Sequence, residues 1–180
     1  AVEVLGVALL MAGGPASVWA PRALAAFDEF ATAPYNDVQS VVSHLPLDTF
    51  RRWISDKQVP GERKGFVGLV LGLEQGDRQA ENLTLLKEMV HSPDGEFRAG
   101  FDGILAGYLL CGGSQAVEDV SSRFLADPSA RSLDVRHALN AVRFYYEQAK
   151  PDAREIVRTA VRRLLARPGQ NGSVNGANTV

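Results

Sequence analysis

Apolar residues along this chain recur at helical spacing, and short stretches rich in glycine, proline or polar residues separate the apolar segments. Leu83, Leu86, Met89 and Val90, for example, fall on one side of a helix. No stretch is a convincing strand, so the pattern predicts an all-α protein. The predicted helices are Glu3–Ala12, Ser17–Phe30, Val38–His44, Thr49–Asp56, Glu62–Glu74, Arg78–Val90, Glu96–Leu110, Gln115–Ala126, Leu133–Gln148 and Asp152–Ala166.

One glycine pattern repeats within these helices. Residues 65–73 carry glycines at i, i+3 and i+7, and residues 100–108 repeat this spacing 35 residues later. A weaker copy occupies residues 138–146, and a short fourth copy lies upstream at residues 5–10. An interior glycine costs a helix about 0.5–1 kcal/mol relative to alanine, so six of them need a reason. We expect the glycine faces to let neighbouring helices approach closely.

Self-similarity at 35–38 residues is typical of stacked supersecondary units. The paired helices and tight turns resemble HEAT repeats in their looser bacterial form, most clearly over residues 62–166. Asp77-Arg78, and Asp152 with Arg154, partly echo the Asp and Arg positions of that family. The resemblance implies an α-solenoid of about four to five antiparallel helix pairs over residues 1–167, which binds a macromolecule along its inner face. Tetratricopeptide repeats are the alternative, with a period near 34 but without the expected Trp, Tyr and Pro placements.

Residues 168–180 lack helical periodicity and predict a polar, flexible C-terminal tail. The chain has 180 residues and a net charge of −2, which argues against a nucleic-acid binder. A single cysteine, Cys111, excludes an internal disulfide and favours the cytoplasm. The uncharged stretch Val4–Pro21 contains Gly13-Gly14-Pro15, which would break a spanning helix, so we expect contact with a membrane only through a complex.

The sequence predicts no catalytic residue, cofactor or metal ligand. His44, His91 and His137 are scattered, and none forms the i, i+4 pair of a metal site. Cys111 closes an apolar helix, which is typical of a core thiol. The inner faces carry mixed charges such as Asp119 and Arg123 without an evident cluster.

The last helix carries a basic stripe. Arg154, Arg158 and Arg162 lie at i, i+4 and i+8, with Arg163 and Arg167 beside them. One interpretation is a solvated face near the helix C-terminus. The other is a surface that binds an acidic protein partner.

We therefore expect a non-catalytic protein-interaction or scaffold module, as a subunit or fragment of a larger assembly. Two alternatives remain open at this point. The chain could be an enzyme with a site in the concave groove, or a subunit held in a membrane-associated complex through its neighbours.

Overall fold

The computed structural model describes residues 34–74, 76–92, 99–148 and 151–165, without the side chains of residues 151–153 and 163–165. All regular structure in these ranges is helical, which confirms the all-α prediction there. The predicted helices Glu3–Ala12 and Ser17–Phe30, and the predicted tail 168–180, lie outside the described residues. The α-helices are α1 (Tyr35–Val41), α2 (Leu47–Ser55), α3 (Gly61–Leu73), α4 (Gln79–His91), α5 (Phe101–Val120), α6 (Ser132–Gln148) and α7 (Pro151–Leu165), with a 3₁₀ turn at Val42–His44 and a π-helical turn at Ser121–Leu125.

Prolines, and not polar side chains, precede the first three helices. Pro34, Pro46 and Pro60 are the N-cap residues of α1, α2 and α3, and none of these caps has a side-chain hydrogen bond. A proline fixes its own φ and pre-sets the entry to a helix. Just before the predicted start of this helix at Thr49, Asp48 has the side chain of a typical N-cap, but it does not act as one. It lies in the first turn of α2, where its carboxylate accepts hydrogen bonds from Arg51 and Arg78.

The predicted turn at residues 112–114 is a sharp kink inside one element. Gly113 has φ 53° and ψ −133°, a conformation that side chains strongly disfavour, and it divides α5 into two segments. Gly100, which precedes α5, also has a positive φ of 72°. The glycines at these two positions let the chain enter α5 and change direction within it.

The glycine faces of α3 and α5 pack against each other, as the repeated spacing predicts. A Cβ atom built on Gly68 would lie 2.9 Å from Ile104 Cα, and one on Gly107 would lie 2.6 Å from the carbonyl carbon of Gly68. Real Cβ atoms essentially never approach other heavy atoms this closely. Gly61 faces Ala99 at one end of this contact and Gly72 faces Gly107 at the other. The two helices therefore run in the same direction with their backbones in contact.

Helix α6 packs against α5 and runs in the same direction. The ring of His137 meets the edge of Phe101, with centroids 6.1 Å apart, and Tyr145 lies near Gly113. Helix α4 packs against α5, and α7 packs against α5 and the π-helical turn. The fully buried side chains at the centre of these helices include Phe50, Leu71, Leu105, Leu109 and Leu125. Among the described helices, none has the length and apolar composition needed to cross a membrane.

Candidate functional site

The predicted arginine stripe lies along α7. Arg158 and Arg162 are 56% and 70% exposed, whereas Arg154 is half-buried and its Nε has no hydrogen-bond partner. Arg163 also belongs to α7, but its side chain lies outside the described part of the chain. The stripe therefore changes from half-buried to exposed along the helix.

Two neighbours order the stripe and reduce its charge. Glu155 accepts hydrogen bonds from Arg158 Nη1 at 3.2 Å and from Arg162 Nη1 at 3.3 Å. The hydroxyl of Tyr146 on α6 accepts a hydrogen bond from Arg158 Nη2 at 3.2 Å. The bonds to Tyr146 and then to Glu155 raise the pKa of Arg158, so its charge is secure.

The ring of Tyr146 also contacts the stripe. The guanidinium carbons of Arg154 and Arg158 lie 5.4 Å and 5.9 Å from its centroid. Both distances are within the range of a cation–π interaction. Tyr146 therefore joins α6 to α7 and holds two arginines of the stripe near one position.

A groove of about 570 Å³ runs between α6 and α7 beside this contact. Its lining combines apolar side chains, which we call the floor, with arginines from both helices, Arg143 on the α6 wall and Arg158 and Arg162 on the α7 wall. No hydrogen bond or ion pair joins Arg143 to another described residue. None of the described carboxylates lines this groove. Its lining residues are Leu139, Asn140, Val142, Arg143, Tyr146, Val157, Arg158, Val161 and Arg162.

Leu139 is the clearest sign that no described helix covers this surface. It is a large apolar residue, yet it is 36% exposed. The adjacent positions Ala138, Ala141 and Val142 face inward and are almost fully buried. The sequence predicts the stripe on α7 but does not predict its pairing with Leu139 and Arg143. Their spacing at i and i+4 is a signal that could have marked them as one surface.

A second polar group lies in the core. By its spacing Arg51 belongs to the polar side of α2, but its side chain is only 8% exposed. Its Nε donates a hydrogen bond to Asn82 Oδ1 at 2.8 Å, and another nitrogen pairs with Glu74. The fully buried Asn82 in turn donates to the carbonyl of Leu71 at 3.0 Å. This network joins α2, the C-terminal end of α3, and α4, so its role in the structure is to hold these helices together.

A third polar group forms around His91, at the end of α4. Its Nε2 lies 2.7 Å from Asp119 Oδ2, and Tyr108 donates its hydroxyl to the same oxygen at 3.0 Å. The Nη2 of Arg123 lies 3.2 Å from His91 Nδ1. Because arginine can only donate, that contact needs an unprotonated Nδ1, which places the ring proton on Nε2. The prediction that Asp119 and Arg123 belong to no cluster is wrong.

The pKa values within this third group reflect its hydrogen bonds. Burial acts to raise the pKa of Asp119, but the hydrogen bonds from His91 and Tyr108 outweigh it and hold that pKa below its usual range. Burial, with the hydrogen bond to Asp119, raises the pKa of Tyr108 to about 12. None of these four side chains lines the groove between α6 and α7. The group bridges both segments of α5 to α4, across the kink at Gly113.

The single cysteine, Cys111, is partly buried in α5. Burial, and then the charge of Glu74, raises the pKa of the Cys111 thiol to about 12. At neutral pH this thiol is therefore protonated and a poor nucleophile. In the described part of the chain, no three His, Cys, Asp or Glu side chains are placed to hold a metal ion.

No protein-family model matches this chain, and no curated protein or solved structure is significantly similar to it. The resemblance to HEAT repeats therefore remains a hypothesis from the sequence pattern.

Proposed function

We propose that this chain is a non-catalytic protein-interaction module, which binds an acidic segment of a partner protein in the groove between α6 and α7. One observation carries the proposal: the groove has an apolar floor and arginines on both walls, and within the described part of the chain no carboxylate lines it. In a chain whose net charge is −2, this is a local excess of positive charge next to exposed apolar surface. Arginine and aromatic residues at such places are typical of the centres of protein interfaces.

The proposal includes a stack of helix pairs as the scaffold. Helices α3, α5 and α6 run in the same direction, and α4 returns between α3 and α5. This order is what a HEAT-like solenoid needs. In such a stack, α6 and α7 form the last described pair, and the groove lies on a surface that no further described pair covers.

Tyr146 prepares the groove for binding. By stacking under Arg154 and Arg158 and accepting a hydrogen bond from Arg158, it limits the conformations of that arginine before a partner arrives. Less side-chain entropy is then lost on association. A partner carboxylate would replace Glu155 as the acceptor of Arg158 or Arg162. The net electrostatic gain of binding is therefore smaller than that of a new ion pair, because an existing ion pair is broken.

The test begins with chemical crosslinking of the native protein and mass spectrometry of the crosslinked partner. The affinity of the purified pair is then measured for the wild type, for the double variant Arg158→Glu with Arg162→Glu, and for Leu139→Asp. Both variants should weaken binding at least tenfold. The double variant reverses the charge of the α7 wall, and Leu139→Asp places a negative charge on the apolar floor.

The matched control is Arg136→Glu. Arg136 is an exposed arginine on the same helix as Leu139, but it does not line the groove. The Arg136→Glu variant should bind the partner with the affinity of the wild type. Unchanged affinity in the double variant and in Leu139→Asp would refute the proposal, and so would an equal loss in the Arg136 control.

A further inference from the structure

Resting on the proposed function, we infer that the partner segment held in this groove is an amphipathic α-helix with acidic residues on both sides of its apolar ridge. The inference draws on the backbone of the groove walls and on the positions of the three arginines. Each of these observations restricts the chemistry of the occupant independently.

The walls favour a helix over an extended peptide. Both walls are α-helices, whose backbone N–H and C=O groups are paired along the helix, so they offer no free edge for strand addition. An extended segment would place its own backbone groups against Leu139 and Val161, and Asn140 is the one uncharged amide in the lining that could pair with them. Buried backbone groups without partners are strongly disfavoured. A helix satisfies these groups internally and presents side chains alone.

The arginines set the charge pattern of that helix. Arg143 stands on the α6 wall, and Arg158 and Arg162 stand on the α7 wall. A helix lying between the walls would meet positive charge on both flanks, so carboxylates on both sides of its apolar ridge give the complementary arrangement. Apolar residues at i, i+3, i+4 and i+7 would face the floor. A helix with acidic residues on one side alone would leave the arginines of one wall without a carboxylate opposite them.

The experiment is a selection from a display library of random 16-residue peptides on the immobilised full chain. The expected enriched sequences carry aliphatic residues at i, i+3 or i+4, and i+7, with Asp or Glu on both flanks and no internal proline. A synthetic peptide of the enriched sequence should gain helical circular dichroism on binding. Arg143→Glu should weaken its binding at least tenfold, whereas Arg136→Glu should not.

A charge swap completes the test. The same peptide with lysine in place of the acidic residues facing α6 should bind Arg143→Glu more tightly than it binds the wild type. Enriched peptides that contain proline, carry basic flanks, bind without helical signal or ignore Arg143 would overturn the inference, and so would no enrichment at all.

The two proposals fail in different ways. If the native partner depends on Leu139 and Arg158 but its crosslinked acidic segment is extended, the inference falls and the interaction module stands. If partner binding does not depend on groove residues at all, the proposed function itself falls.

Discussion

Replacing Gly107 with alanine tests the backbone contact between α3 and α5. The added Cβ would lie 2.6 Å from the carbonyl carbon of Gly68 and 3.2 Å from the backbone nitrogen of Leu69. Both neighbours are backbone atoms within a helix, so neither can rotate away as a side chain could. The two helices must separate or shift to accept one methyl group.

Two opposing effects decide the size of the change. Alanine has the better helix propensity and returns about 0.5–1 kcal/mol. Overpacking typically costs about 1–3 kcal/mol, and the upper part of that range applies where rigid atoms collide. We therefore expect the free energy of unfolding to fall by about 2 kcal/mol. For a chain of this length, that loss corresponds to a decrease in Tm of about 4–8 °C.

Urea denaturation followed by far-ultraviolet circular dichroism measures this change. The control is Gly76→Ala, because a Cβ at Gly76 would meet no atom within 4 Å. It should alter the free energy of unfolding by less than about 0.5 kcal/mol. Gly68→Ala should be intermediate, since its nearest contact is at 2.9 Å and its next, at 3.2 Å, is a side-chain atom of Ile104 and not backbone. A Gly107→Ala protein as stable as the wild type would refute the close contact.

Two further substitutions test the polar groups, and a reactivity measurement tests the thiol of Cys111. Asn82→Leu should lower the free energy of unfolding by about 3 kcal/mol in urea, because the buried Arg51 Nε loses its acceptor, and a loss below about 1 kcal/mol would contradict this. The folded pKa of Asp119 is depressed, so its contribution is present above the unfolded pKa of about 4 and is lost as pH falls through the folded pKa. Asp119→Asn should therefore be less stable at pH 7 and lose less stability on acidification, and identical acid-denaturation curves would exclude this. Because its pKa is raised to about 12, Cys111 should react with iodoacetamide at pH 8 far more slowly in the native protein than in urea, and equal rates would show an accessible thiolate.

The glycine contact could be predicted from the sequence because the glycine spacing is local to one helix and each interior glycine lowers helix stability. Glycines at i, i+3 and i+7 occupy one side of a helix whatever surrounds it. Their helix propensity is poor, so the repeated spacing in residues 65–73 and 100–108 indicates a packing reason. The close approach of α3 and α5 confirms that reason. The pattern does not specify the number of helix pairs or the curvature of a stack.

The buried network at Arg51 could not be predicted from the pattern of α2, because charged positions of an amphipathic helix are assumed to face solvent. Arg51 lies on the polar side of α2 by its spacing, and its burial depends on Asn82, 31 residues away. A signal was present in α4, where Asn82, Leu86 and Val90 follow one another at i, i+4 and i+8. A polar residue within an apolar stripe indicates a buried hydrogen-bond partner elsewhere.

Neither the contacts of the His91 group nor the pairing of α6 with α7 in the groove could be predicted from the sequence, for another reason. His91 and Asp119 are 28 residues apart, and their distance depends on the angle of the kink at Gly113. The groove likewise depends on how α7 folds back on α6. Spacing along one helix places residues on a face, but it does not determine which face of the next helix lies opposite.

The repeated pattern changes along the chain beside the groove. Where α3 meets α5, glycines let backbone contact backbone, and a cavity of about 450 Å³ lies next to this contact. In the third copy the small residues are Ala138 and Ala141, and the position of Gly107 is taken by Tyr145, which is 7% exposed. Helix α6 therefore meets α5 through the buried side chains of Ala138, Ala141 and Tyr145. The groove that we propose for a partner lies along this same helix, where the glycine pattern is lost.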